Sequence, residues 1–305
     1  MKYGNLVTLD QFADILYRQP KEYVTMLSHE LDKGLSYPKA RENALLLYLN
    51  DVRKYSSILS YPNNILAIEY LKAIKKLKSN ILPVTIKRIG ADYNSLEANG
   101  KFASATAIRN FVKKEENIEN LVPSYSYEVL KNNIKYSKVI YGLSSLEKEI
   151  IYKLRTMSIS QIRELQDVSE GLENLIKKAA NSCNNLEDLI NIIKSKRYTQ
   201  SRIQRILIYA LLDITKKDIK ESYRVKPYIR ILGISNHGKK LLSEMNNKDF
   251  KYSVITSVKK FIEGNKNKTL ENILLKDMLA SNIYTLGYEF DSKANLDYTN
   301  KLIIE

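Results

Sequence analysis

Three groups of residues have the types and spacing to work on an anion. Ser104, Thr106 and Arg109 stand where small residues run into a helix. Two hydroxyls and the free backbone N–H groups of a helix start can hold phosphate oxygens, and an arginine about one turn further in can add its fork to the same anion. A helix start with a serine cap and nothing bound meets the same spacing. Asn63, Asn64 and Arg88 form the second group. Asparagine at a helix start can read an adenine or a ribose, and arginine at a strand end can neutralise phosphate; the plain alternatives are a helix cap and a surface charge. The third is a basic helix pair: residues 191–230 carry eleven Lys/Arg against Asp213, Asp218 and Glu221. Lys196-Arg197-Tyr198-Thr199 reads as a turn, and Arg202 and Arg205 share one face of the following helix. Two guanidinium forks and an aromatic ring on one surface suit phosphates and a stacked base. A solvated helix face carries the same pattern.

Composition narrows the field. The 305 residues hold 49 Lys+Arg and 34 Asp+Glu, a formal charge of +15 that favours a polyanionic partner. Part of the lysine excess is compositional bias, since Asn, Ile and Tyr are also heavily used while Trp is absent. Hydrophobic residues at 44% and charged residues at 27% are the balance of a folded protein, and the length suggests about two domains. The chain has no run of about 18 apolar residues to cross a membrane, and its start, MKYGNLVTLDQF, lacks a secretory apolar core, so a cytoplasmic protein is expected. One cysteine, Cys183, and two distant histidines, His29 and His237, leave a zinc site or a cysteine- or serine-histidine triad poorly supplied. No protein-bound metal is expected.

The elements that would position these residues are mostly helices. Leu9, Phe12, Ala13 and Leu16 repeat at helical spacing behind Thr8, placed to cap. Pro20, Pro38 and Pro62 each open a further helix. Residues 83–89, Pro-Val-Thr-Ile-Lys-Arg-Ile, alternate like a half-buried strand, and after a loop Ala103 leads into the helix that carries Arg109. Helix, strand, loop and helix is the grammar of an α/β sheet, although no partner strands occur upstream. From about residue 121 the pattern is helical to the end. It includes a capping-box signature at Ser144-Ser145-Leu146-Glu147 and a short apolar run at 230–234. The fold class expected is therefore mostly α, with a piece of α/β sheet in the first 120 residues and an all-helical region over 121–305.

Five strings carry a resemblance. They are Ser36-Tyr37-Pro38-Lys39-Ala40-Arg41, Pro62-Asn63-Asn64-Ile65-Leu66-Ala67-Ile68-Glu69-Tyr70-Leu71, Ser104-Ala105-Thr106-Ala107-Ile108-Arg109, Val168-Ser169-Glu170-Gly171-Leu172-Glu173-Asn174 and Lys196-Arg197-Tyr198-Thr199-Gln200-Ser201-Arg202-Ile203-Gln204-Arg205. In this order they resemble the bacterial tRNA(Met) cytidine acetate ligases, nucleotidyltransferase-like enzymes of the His-x-Gly-His superfamily. The resemblance implies a Rossmann-like nucleotidyltransferase domain, here residues 1–120 with a helical insertion, and a helical tRNA-binding domain over 121–305. It implies adenylation of acetate by ATP, with Mg2+ accompanying the nucleotide, and transfer of the acetyl group to N4 of the wobble cytidine of elongator tRNA(Met). Matched position by position, it places ATP on Asn63, Arg88, Ser104, Thr106 and Arg109, and tRNA on Lys196, Arg197, Tyr198, Arg202 and Arg205. It assigns no catalytic side chain. The sequence departs from the pattern in having no His-x-Gly-His, in carrying Ala103 where a serine is usual, and in holding Asp92 and Asn94 at loop positions that tend to be Gly and His. The resemblance thus implies a chain lacking the family's N-terminal third, with its activity in doubt; the alternative is a non-catalytic RNA-binding helical protein derived from such an enzyme.

Overall fold

The computed structural model describes residues 5–51, 55, 58–59, 61–86, 102–169, 171–195, 197–246 and 250–304. The chain divides into two compact units, Met1–Tyr127 with Ser195–Thr199, and Glu128–Lys194 with Gln200–Glu305.

In the first unit, helices Leu6–Arg18 and Pro62–Leu77 pack together, as do Lys21–Asp32 and Tyr37–Leu49. The sequence sets each start. Asn5, rather than Thr8, caps the first helix, its side chain accepting the Thr8 N–H at 2.8 Å. Pro38 and Pro62 fall in first turns, where a missing N–H leaves no bond unmade. The apolar stripes bury Phe12, Tyr23, Leu45 and Ile68, and Tyr55 meets Phe12 edge-on with ring centroids 5.5 Å apart. The expected strand does not form where it is described. Residues 83–86 have no ladder partner, and Lys87, Arg88 and Ile89 lie outside the described residues. An alternating segment becomes a strand only beside another strand. Leu82, Val84 and Ile86 accordingly stand 88%, 82% and 92% exposed.

In the second unit, helix Leu172–Ser182 packs against Glu147–Thr156, Ile159–Glu164 and Leu186–Ile193, and Glu147–Thr156 also packs on Gln200–Leu211. Ile150, Leu154, Ile162, Leu172, Ile176, Leu189 and Ile193 are buried in it. The signature at Ser144 forms a 3-10 turn, Leu143–Leu146, without a side-chain cap on the helix that follows. True capping boxes occur at Ser158 with Gln161 and at Thr215 with Asp218, where the hydroxyl and the third-position side chain exchange hydrogen bonds.

The end of the chain is not all-helical. Four two-residue strands form parallel pairs: β1 (Ile229–Arg230) with β3 (Val254–Ile255), and β2 (Gly233–Ile234) with β4 (Ile303–Ile304). Helix Asn236–Asn246 supplies the crossover between β1 and β3 that a parallel pair needs. Ile255, Val258, Leu274 and Met278 make a small core beneath, against helix Lys268–Leu286. Strands this short leave no period in the sequence to read.

The Tyr23 hydroxyl is buried without a hydrogen-bond partner, and burial, with Tyr37 adding to it, pushes its pKa up to about 12. An unsatisfied buried hydroxyl costs about 1–3 kcal/mol. Tyr23→Phe is therefore expected to raise unfolding stability by roughly 1 kcal/mol, measured as an increased midpoint in urea with unchanged slope.

Candidate functional site

Helix Ala105–Lys113 begins at Ser104, which is buried and accepts the Ala107 N–H at 2.9 Å through Oγ. The acceptor side of that hydroxyl is taken up by the cap. The Ile108 N–H bonds the Ser104 carbonyl at 3.0 Å, which leaves the Ala105 and Thr106 N–H groups without an intrahelical acceptor. Thr106 is half-buried, and Arg109, exposed, follows it at three residues on the same face. Two backbone donors, one hydroxyl and one guanidinium are the anion contacts this helix start offers.

Asn63 heads a separate helix as its second residue, behind Tyr61 at the cap position. It is exposed and makes no side-chain hydrogen bond among the described residues, so it is free for a ligand. Its neighbour Asn64 is buried, donating Nδ2 to the Ile58 carbonyl at 2.9 Å. Arg88 lies outside the described residues. The helix of Asn63 is fixed by a contact that sequence reasoning missed. Arg41 pairs with Glu69, which also receives Lys72 at 3.3 Å. Burial pushes the Glu69 carboxyl up, but the hydrogen bonds from Arg41 and Lys72 outweigh it and hold the group below the ordinary glutamate range. Pro38, Arg41, Glu42 and Ile65 line a cavity of about 220 Å3 beside this pair. The only sequence signal was that Arg41 and Glu69 sit in two of the five strings.

The basic helix pair differs from expectation. Tyr198 is 9% exposed, so its ring is not presented for stacking. Arg197 is exposed, and the Ser195 hydroxyl accepts the Tyr198 N–H at 3.2 Å to close the turn. Lys196 lies outside the described residues. Arg202, half-buried, and Arg205, exposed, converge on one corner. Arg202 donates Nε and Nη2 to the Asp167 carbonyl at 3.1 and 2.7 Å, and Nη2 also to the Ser169 hydroxyl at 3.0 Å. Arg205 pairs with the Asp167 carboxylate at 3.0 Å. Asp167 has φ +67°, a left-handed conformation that an aspartate adopts more readily than bulkier residues. The two guanidinium groups thus hold the loop entering helix Leu172–Ser182. Past that loop, Glu173 pairs with Arg163 at 3.0 Å. Its own backbone N–H and then Arg163 hold the carboxyl below its ordinary range.

The family model described as HIGH Nucleotidyl Transferase matches residues 2–299. A tRNA(Met) cytidine acetate ligase of Caldanaerobacter subterraneus is 41% identical over 303 residues, covering 98% of this chain and 73% of the relative. The apo crystal structure of Thermotoga maritima TmcAL superposes with a TM-score of 0.86 at 29% identity, covering 99% of this chain and 75% of that one. The same protein bound with alpha-thio ATP gives 0.82 at 28% identity, over 99% and 74% of the two chains. The chain belongs to the HIGH nucleotidyl transferases and, among them, to the tRNA(Met) cytidine acetate ligase family. These alignments run along nearly the whole of this chain and about three quarters of each relative.

Two predictions follow from the corner and its neighbour. Arg202→Gln with Arg205→Gln leaves the Asp167 carbonyl and carboxylate without these donors, and is expected to lower stability by about 1–2 kcal/mol in urea unfolding. The Glu173 carboxyl, lowered in the folded state, contributes stability that is present above its unfolded value near 4.5 and lost as pH falls through the lower folded value. Glu173→Gln is expected to flatten that part of the acid limb in a pH series of melting temperatures.

Proposed function

We propose that this chain is an ATP-dependent acetate ligase that forms N4-acetylcytidine at the wobble position of elongator tRNA(Met). The observation that carries this reading is the 41% identity to a tRNA(Met) cytidine acetate ligase over 98% of the chain. The likeness to the structure bound with alpha-thio ATP supports ATP as the nucleotide. In the first step an acetate oxygen attacks the α-phosphorus, the bond to the β-phosphate oxygen breaks, and pyrophosphate leaves acetyl-AMP. In the second, N4 of the cytidine attacks the acetyl carbon, AMP departs, and N4 gives up a proton.

Neither step needs a protein nucleophile. The work is to hold reactants in line and to stabilise the charge that develops on phosphate. In this proposal the Ala105 and Thr106 N–H groups, the Thr106 hydroxyl and Arg109 receive phosphate oxygens, and Ser104 acts by fixing the helix start. Asn63 hydrogen-bonds the nucleoside, and Arg88 joins the phosphate set. Magnesium travels with the nucleotide through its phosphate oxygens; among the described residues no group of three or more His, Cys, Asp or Glu forms a metal cluster. Lys196, Arg197, Arg202 and Arg205 are the candidates for tRNA contact, Arg205 from its exposed face and Arg202 through the corner it holds.

The first step is testable without RNA, as acetate-dependent exchange of radiolabelled pyrophosphate into ATP. Wild-type chain is expected to catalyse it. Arg109→Ala, which removes a charge-assisted hydrogen bond to the anion, is expected to slow it at least about tenfold. Exchange that ignores acetate would overturn the reading.

A further inference from the structure

We propose that the cleft between β3 and β4 binds a single-stranded stretch of RNA, seating phosphates on Lys260 and Lys301 and a base on Tyr298. The inference rests on the tRNA reading above and moves the main RNA contact to a different place. The cleft has a topological cause. The Ile231 N–H bonds the Ile255 carbonyl at 2.9 Å as β3 ends, and one residue later the Leu232 carbonyl accepts the Ile303 N–H at 3.2 Å as β4 begins. One neighbour leaves where the other joins, and the gap opens a cavity of about 850 Å3. The size lies within the range of ligand sites.

The lining is that of a polyanion site carrying an aromatic platform. Lys260 and Lys301 are exposed, with no ion pair among the described residues. Tyr298 is 41% exposed. Asn300 offers a donor and an acceptor for base edges or a 2′-hydroxyl. Arg230, by contrast, pairs with Asp297, both largely buried, and so braces the wall rather than reaching into the cleft. The stretch of chain that supplies two of the cleft's three lining segments is basic: residues 216–268 hold fourteen Lys/Arg against five Asp/Glu, a net +9 of the chain's +15. Stacking plus backbone neutralisation is how single strands are held.

The test uses the full chain and fluorescence anisotropy with a short oligocytidylate, a duplex RNA of equal length and cytidine monophosphate. Lys260→Gln with Lys301→Gln is expected to weaken oligocytidylate binding at least about tenfold at low salt and to reduce the salt slope by about 1.4 units, 0.7 per contact. Tyr298→Leu is expected to cost about fivefold or more with the slope unchanged. Circular dichroism and acetate-dependent exchange are expected to stay at wild-type values in both variants, because the changed residues are exposed and the first step needs no RNA. Variants that bind the oligonucleotide as wild type overturn the proposal. So does a wild-type chain that binds duplex as well as single strand, or the monophosphate as well as the oligonucleotide. Loss of exchange in the wild type would instead remove the ligase reading and leave the cleft standing.

Discussion

The helical unit depends on the corner at Asp167, a left-handed residue. At Asp167 the chain leaves helix Ile159–Glu164 and must reverse to enter Leu172–Ser182, and it does so with φ at +67°. The corner is held from both sides. Leu165 bridges Thr215, and the Gln166 N–H bonds the Ile214 carbonyl at 3.2 Å; on the opposite side Arg202 and Arg205 converge on Asp167. Between these restraints Leu165, Val168 and Leu172 are driven into the core, each at 1% exposure or less. Single bonds of this kind contribute about 1 kcal/mol. Their value here is that several of them fix a direction of chain travel which the apolar stripes alone leave open.

That arrangement also explains how positive charge is distributed between structure and function. An arginine can satisfy several acceptors in fixed geometry, which suits it to a crowded corner, while a lysine is a mobile point charge suited to a phosphate backbone. Arg41, Arg155, Arg163, Arg202, Arg205 and Arg230 all make internal contacts to a carboxylate or a carbonyl. Lys260 and Lys301 have no such ties among the described residues, although Lys268, Lys276 and Lys293 near them in sequence pair with Glu271, Asp218 and Asp291. Counting both as one basic surface treats two different jobs as the same.

The helices were legible because their signals are local. Pro20, Pro38 and Pro62, the serine before Ala105 and the apolar spacing of residues 9–16 each act within one or two turns. What could not be read depends on partners distant in sequence. Residues 83–89 alternate correctly for a strand, yet alternation supplies only one side of a ladder. β1 to β4 are two residues each and exist because Ile229 meets Val254 and Gly233 meets Ile303. The same limit governs the site. Ser104, Thr106 and Arg109 were found because they share a helix start, whereas the Arg41–Glu69 pair spans 28 residues and the Arg205–Asp167 pair spans 38. A sequence shows that an arginine is present and not which way it turns.

The central claim is that this chain joins acetate to a cytidine of tRNA(Met) at the expense of ATP. The most direct measurement is nucleoside mass spectrometry of a tRNA(Met) transcript incubated with the chain, ATP and isotopically labelled acetate. The account predicts N4-acetylcytidine carrying the label, confined to the wobble position, and formed only when ATP is present. Unmodified cytidine after incubation with chain that binds both ATP and the transcript would contradict it.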